Sequence, residues 1–264
     1  MLNTRKAQIK QAPGKKEARR KSLAPNAEEF AFTKLGIELD EVQEQVMLSH
    51  AKRGILNCTR QWGKSTVGAA KAVHRAMSVA GSLVLVANPT KRQSAEWMRK
   101  AEDMARRMGI KPRGDGDNAI SLALPNGSRI VGMPGVEATL RGFSAVSMLL
   151  IDEAARVTDE AYKALRPMLA VGGGDLWLMS TPCGRRGFFY QIWEHGGAEW
   201  MRVEVSATEC PRISRAFLKE ERLAMGDVWF RQEYLCEFVD SEGSVFDRNL
   251  VAAALDEELD GLDV

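Results

Sequence analysis

Residues 54–74 read as a short buried strand, a turn ending in Gly63-Lys64-Ser65, and a helix rich in small residues. That succession constrains the fold more than any other stretch of the chain. Gly54-Ile55-Leu56-Asn57-Cys58 is apolar enough for an interior strand. Thr66-Val67-Gly68-Ala69-Ala70-Lys71-Ala72-Val73-His74 offers a small-residue face that packs close to a sheet. Strand, Gly-Lys-Ser turn and helix are together the setting of a phosphate-binding loop. There the backbone N–H groups point at an anion, Lys64 reaches β- and γ-phosphates, and Ser65 can hold Mg²⁺. The helix N-terminus adds partial positive charge at the same place. Cys58 stands where such a loop normally opens with glycine. The triplet alone is equally consistent with a surface turn before a helix.

The rest of the chain supplies the sheet that such a loop needs. Residues 29–50 read as helical. Ser82–Ala87, Met148–Ile151, Leu176–Met179 and Trp200–Val205 read as strands, the third preceded by a flexible Gly172-Gly173-Gly174. Lys91–Met108 reads as a long helix, a further helix lies near Phe188–Trp193, and helices run from about Arg215 to Tyr234. Ile120–Leu124 and Arg129–Met133 alternate around Asn126-Gly127, a hairpin signal. Strands alternating with helices predict an α/β fold: three layers, a mostly parallel central sheet, and a β-hairpin insertion. With 264 residues, 45% hydrophobic, the chain is long enough for one such domain or a domain plus a small lobe. No apolar run approaches the length of a membrane span, and no apolar stretch follows the basic N-terminus as in a signal peptide. Cys58, Cys183, Cys210 and Cys236 lack metal-ligand spacing and suit a reducing cytoplasm.

A net charge of +2 conceals a polarised chain. Residues 1–21 carry eight Lys and Arg against Glu17, and residues 252–264 carry five acids and no base. The expected organisation is a basic disordered tail over 1–28, a nucleotide-binding domain over 29–240 with a helical lid from about 207, and an acidic linker over 241–264. The tail is either a tether for DNA or a partner, or a solvated segment. The body between the tails is balanced, so nucleic-acid contact there needs a local patch. Lys91 and Arg92 are candidates; a solvated helix start is the alternative.

Ser147-Met148-Leu149-Leu150-Ile151-Asp152-Glu153 is the strongest companion to the loop. An apolar strand delivers two acids to the edge where open α/β sheets bind ligands. Asp152 is read as a Mg²⁺ ligand and Glu153 as the general base on an attacking water; the plainer alternative is a helix-capping acid. Ser180-Thr181-Pro182 ends another strand and either senses a γ-phosphate or starts a turn. Arg141, on a loop before the carboxylate strand, is either an arginine finger reaching a neighbouring subunit or a surface or DNA-phosphate arginine. Arg60 lies inside the loop, near the triphosphate, and could also pair with Glu153 between turnovers. The amide of Gln43 suits an adenine edge, or simply faces solvent from a helix. His50, His74 and His195 form no cluster in sequence.

In order, Gln43, Arg60-Gln61-Trp62-Gly63-Lys64-Ser65, Asn88-Pro89-Thr90-Lys91-Arg92-Gln93-Ser94, Ala138-Thr139-Leu140-Arg141-Gly142, Leu149–Ala155 and Ser180-Thr181-Pro182 resemble the large terminase subunits of tailed double-stranded DNA bacteriophages and prophages. The likeness runs on through Arg231–Phe238 and covers about residues 29–255. It implies an ATPase of the P-loop ASCE type, a motor that docks on a procapsid portal and drives genomic DNA inside. The cofactors it implies are ATP and Mg²⁺. The partners are double-stranded DNA, the portal protein, the small terminase subunit, and further copies of the chain in a ring, with a monomer the expectation in isolation. The setting is the host cytoplasm, without membrane.

By position the resemblance assigns adenine to Gln43 and the phosphates to Arg60, Gln61, Trp62, Gly63, Lys64, Ser65 and Thr66. Mg²⁺ goes to Ser65 and Asp152, hydrolysis to Asp152 and Glu153 with Arg60 as a further catalytic candidate, coupling to Ser180 and Thr181, and the trans-acting finger to Arg141. Many relatives carry Pro-Trp before the glutamine, where this chain has Glu41-Val42. Relatives also continue into an RNase H-like nuclease domain at about the point where Leu262-Asp263-Val264 stands, so no nuclease activity is expected of this chain. A helicase-like translocase and a truncated prophage remnant that binds ATP or partners are the competing readings.

Overall fold

The computed structural model describes residues 27–135 and 142–239; Arg141 and both charged termini lie outside the described residues. Seven strands form one sheet: β1 (Arg53–Cys58), β2 (Leu83–Asn88), β3 (Ser121–Ala123), β4 (Arg129–Pro134), β5 (Met148–Asp152), β6 (Asp175–Ser180) and β7 (Trp200–Val205). Their spatial order is β3-β4-β2-β5-β6-β1-β7. Every neighbouring pair is parallel except the β3–β4 hairpin, whose turn holds Gly127 at φ +79°. β2, β5 and β6 are buried along their whole length. Their unbroken apolar sequences follow from that, because helices cover both faces of a parallel sheet.

Alternate strand residues feed two separate cores. Leu56, Val86, Leu150 and Met179 point to one face, where α3 (Lys64–Ser78) and α4 (Lys91–Arg107) pack with α1 (Ala27–Thr33) and α2 (Glu41–Leu48). Ile55, Leu85, Leu149 and Leu178 point to the other, under α5 (Asp159–Leu165) and α6 (Gly187–His195). There Tyr162 stacks on Phe188 at 4.1 Å between ring centres. The three expected layers and the hairpin insertion are therefore present. α7 (Arg215–Met225) and α8 (Asp227–Leu235) follow β7 and close a third, small cluster of Ala207, Leu218, Phe230 and Tyr234. Gly226, at φ +79°, separates these two helices. No helix among the described residues is long and apolar enough to cross a membrane.

Three local expectations are corrected. The single helix over 29–50 is two helices, α1 and α2. Gly36 turns the chain at φ +60°, and Asp40 starts α2 through a capping box. The Gln43 N–H donates to Asp40 Oδ1 at 2.9 Å, and Asp40 N–H donates back to Gln43 Oε1 at 3.1 Å. That reciprocal pair satisfies two orphan donors at a helix start. Secondly, α1 opens at Ala27, so the last two residues assigned to the disordered tail are helical. Thirdly, the glycines before β6 serve a close fit. A Cβ on Gly174 would lie 2.1 Å from the Val146 carbonyl oxygen, and Gly173 sits at φ +55°. The helix α5 has no counterpart in the sequence reading.

Lys71, on α3, fixes α2 against the body. Its buried Nζ donates to the carbonyls of Val46 at 2.8 Å and Ser49 at 3.0 Å, and lies 4.4 Å from the Trp177 ring centre. A cation at a helix C-terminus and over an indole face is stabilising on both counts. Burial acts the other way and pushes its pKa down to about 7.

Candidate active site

The C-terminal ends of β1, β6 and β5 lie side by side, with Asn57 beside Ser180 and Asp152 beside Met179. The strand order thus brings the Gly-Lys-Ser loop, the two hydroxyls and the two acids to one edge. Ligands bind at this edge in open α/β sheets.

The loop spans the residues between β1 and α3. Gln61 has φ +63° and Gly63 has φ +101°, so the chain turns through two left-handed residues to aim at the start of α3. Gly63 caps α3 without a side chain on its first N–H groups. The start of α3 is therefore without a side-chain acceptor, the kind of helix terminus at which anions can bind. Lys64 is buried, and its Nζ donates to the carbonyls of Cys58 at 2.6 Å and Thr59 at 2.9 Å, which holds the amine inside the loop. Cys58 is fully buried, and burial pushes its thiol up to about 12. It is an inert packing residue in the place of the loop's first glycine.

Trp62 anchors the loop from beneath with its buried indole, while its carbonyl accepts two bonds. One comes from Gln43 Nε2 at 2.7 Å, the other from Arg212 Nη2 at 2.6 Å. Arg212 also pairs with Asp40 at 3.1 Å. Gln43 is therefore buried, tied to the capping box and to the loop, and not the solvated residue of the plainer reading. Its amide retains one N–H and acceptor capacity.

Asp152 is buried at the end of β5 and hydrogen-bonded to the Ser65 side chain. Burial pushes its carboxyl up to about 6; the neighbouring Glu153 charge adds to the push, and the Ser65 bond with the Lys64 and Lys100 charges opposes it. A carboxylate and a hydroxyl touching each other form the oxygen donor set that a hard divalent cation takes, so these residues fit Mg²⁺. One strand across, at the same edge, the buried Asn88 amide has no hydrogen-bond partner among the described residues on either polar atom.

Glu153 adopts φ +53°, ψ +41°. A non-glycine residue in the left-handed region is strained by about 1–3 kcal/mol, and such residues cluster at functional sites. Its Oε2 accepts from Arg156 Nη1 at 3.0 Å. Arg60 pairs through Nε with Glu233 at 2.7 Å, which raises its pKa, while Glu153 pairs with Arg156; the alternative pairing of Arg60 with Glu153 is not the one formed. Ser180 Oγ accepts from the Ala155 N–H at 3.2 Å, just beyond Glu153. Thr181 Oγ1 accepts from Arg156 Nη1 at 3.1 Å and donates to Glu233 Oε2 at 3.4 Å. Both hydroxyls thus border the carboxylate segment, as the strand-end reading required. Arg156, Arg212 and Glu233 escaped the sequence reading. Each acts through a partner far along the chain or on a turn with no motif, except that Arg231–Phe238 carried a family likeness.

The β6 strand, inserted between the loop strand and the carboxylate strand, defines the class: a P-loop NTPase fold of the ASCE type. The chain belongs to the family described as terminase large subunit, T4likevirus-type, N-terminal, whose model matches residues 55–252. It is 27% identical over 261 residues to the large terminase subunit of Thermus phage G20c, covering 86% of this chain and 53% of that protein. The chain therefore spans about half the length of the curated relatives it matches. In fold it is similar to the Thermus phage P74-26 large terminase ATPase domain, with a TM-score of 0.70 at 24% identity over 79% of this chain and 97% of that one. A large terminase from a thermophilic bacteriophage, in complex with ATP-gamma-S, has a TM-score of 0.65 at 13% identity, covering 76% of this chain and 53% of that one.

Proposed function

We propose that this chain hydrolyses ATP to drive double-stranded viral DNA into a procapsid. One observation carries the reading: Lys64 and Ser65 meet Asp152 and Glu153 at one sheet edge, with Ser180 and Thr181 on the strand between. Membership of the terminase family and a fold shared with a nucleotide-bound terminase support the substrate.

The residues divide the work as follows. The free N–H groups of α3 and the Lys64 ammonium hold the β- and γ-phosphates, with Arg60 to Thr66 shaping the loop around them. Gln43 fixes the loop through Trp62 and offers its remaining N–H to adenine. Ser65 and Asp152 would hold Mg²⁺, which would supply charge neutralisation to the triphosphate when bound. Glu153 takes the proton of a water whose oxygen attacks the γ-phosphorus in line; the bond to the bridging oxygen breaks and ADP leaves. Ser180 and Thr181, hydrogen-bonded to the carboxylate segment and to Glu233, pass the loss of phosphate to α8.

The same edge offers DNA a basic groove on α4, lined by Lys91, Arg92, Ala95, Glu96 and Arg99. Phosphate contacts of this kind give affinity without sequence preference, as packaging requires. The portal protein and the small terminase subunit are the partners of this reading, and the host cytoplasm is its compartment. The charged termini flank an ATPase domain that opens with α1 at Ala27 and runs to about 240. Arg141 completes the site of the next subunit in a ring. Mixing an Arg141→Ala chain with a Glu153→Gln chain tests that step. Partial recovery of ATP hydrolysis at ring-forming concentrations is expected, since some interfaces pair an intact base with an intact finger; no recovery would remove the finger.

A further inference from the structure

Glu233 stands out among the buried acids because it lies on α8, outside the sheet, yet meets the site. It is almost fully buried, and both oxygens are taken by guanidinium groups. Oε2 accepts from Arg60 Nε at 2.7 Å, and Oε1 accepts from Arg156 Nη2 at 2.7 Å. Its backbone carbonyl also accepts from Thr59 Oγ1 at 3.1 Å, which locks this turn of α8 to the loop. A buried carboxylate is tolerated only when paired and fully hydrogen-bonded, and this one is.

Arg156 is the link that matters. One nitrogen of its planar fork bonds Glu233; the other bonds Glu153 at 3.0 Å and Thr181 at 3.1 Å. Because the fork is rigid, fixing one side fixes the other. Glu153 needs such a hold. Its left-handed backbone is costly, and among the described residues its carboxylate is gripped through Oε2 alone, which leaves Oε1 for a water. The Arg156 N–H closes the same turn on the Glu153 carbonyl at 2.9 Å.

We propose that Arg156 is a positioning residue for the general base, and that Glu233 on α8 sets its geometry. The helical region after β7 is thereby wired to the hydrolytic residue. This rests on the reading of Glu153 as the base. Displacing a catalytic group by about 1 Å can cost roughly 10²-fold in rate, so modest movement of α8 becomes a large change in turnover.

The test is steady-state ATP hydrolysis by the full chain carrying Glu233→Gln, Arg156→Ala, Arg156→Lys, and the pair Glu233→Gln with Arg156→Ala. Each single loss is expected to lower kcat about tenfold or more. KM for ATP should not rise, because neither residue holds phosphate and Glu233→Gln releases Arg60 toward it. The double variant should be no slower than Arg156→Ala alone, and Arg156→Lys should recover part of the loss. A residue that only supports the fold would lower the melting temperature without this split and without the lysine rescue. Unchanged kcat in Glu233→Gln, or multiplicative losses in the double variant, would overturn the proposal. Glu153→Gln separates the two claims: if it hydrolyses ATP at the parent rate, the base assignment fails. If it is inactive while the Arg156 and Glu233 variants run normally, only the positioning role fails.

Discussion

Glu153→Gln is expected to bind Mg·ATP as the parent does and to turn it over about 10²–10⁴-fold more slowly, the range that a positioned general base contributes. The substitution keeps the shape of the side chain and the Oε acceptor that Arg156 grips. The backbone turn is held by separate bonds, including the Arg156 N–H to the Glu153 carbonyl at 2.9 Å, so the local structure should survive. Only the capacity to take a proton is lost. Among the described residues the Glu153 carboxylate bonds Arg156 and not the loop that carries Lys64, so affinity for the nucleotide should stay close to the parent's. Equilibrium binding and phosphate release, measured on the same preparation, give the two numbers. Equal turnover in variant and parent would require another base.

Lys64→Ala should do the reverse and abolish binding. The amine is buried between the carbonyls of Cys58 and Thr59, at the mouth of an α3 start that has no side-chain cap. Removing one member of a buried charge pair costs about 2–5 kcal/mol, which is more than about 30-fold in affinity. The lost loop bonds will also lower stability somewhat, so the melting temperature should be measured alongside. A folded Lys64→Ala chain that binds ATP as tightly as the parent would contradict the site as drawn.

The fold was readable where one residue pattern serves one structural need. β2, β5 and β6 are apolar runs because both their faces are covered, and the β3–β4 turn needs Gly127 at positive φ. The break between α1 and α2 was also encoded, in Gly36 and the Asp40–Gln43 box. In the sequence the same Gln43 suits a ligand contact as well as a capping box, and only the fold separates the two uses. Gln43 turns out to cap α2 and tie the loop at once.

The site was half legible. Gly63-Lys64-Ser65 and Asp152-Glu153 are contiguous motifs whose spacing follows from backbone geometry. The side-chain bonds that orient them join distant positions. Arg156 and Glu233 are 77 positions apart, and Arg212 and Trp62 are 150 apart. Only the packing of α8 and of the segment before α7 against the sheet edge brings these groups together. Arg60 illustrates the limit. Its place in the loop was legible, but its partner, Glu233, depended on tertiary structure.

We propose that this sheet edge is an ATP-hydrolysing motor site. The most direct measurement is the rate of phosphate release from Mg·ATP at rising chain concentrations, with and without double-stranded DNA. A rate per chain that climbs with concentration and rises further with DNA is the predicted result. No phosphate release at any concentration, with or without DNA, from a chain that is folded and binds ATP would contradict it.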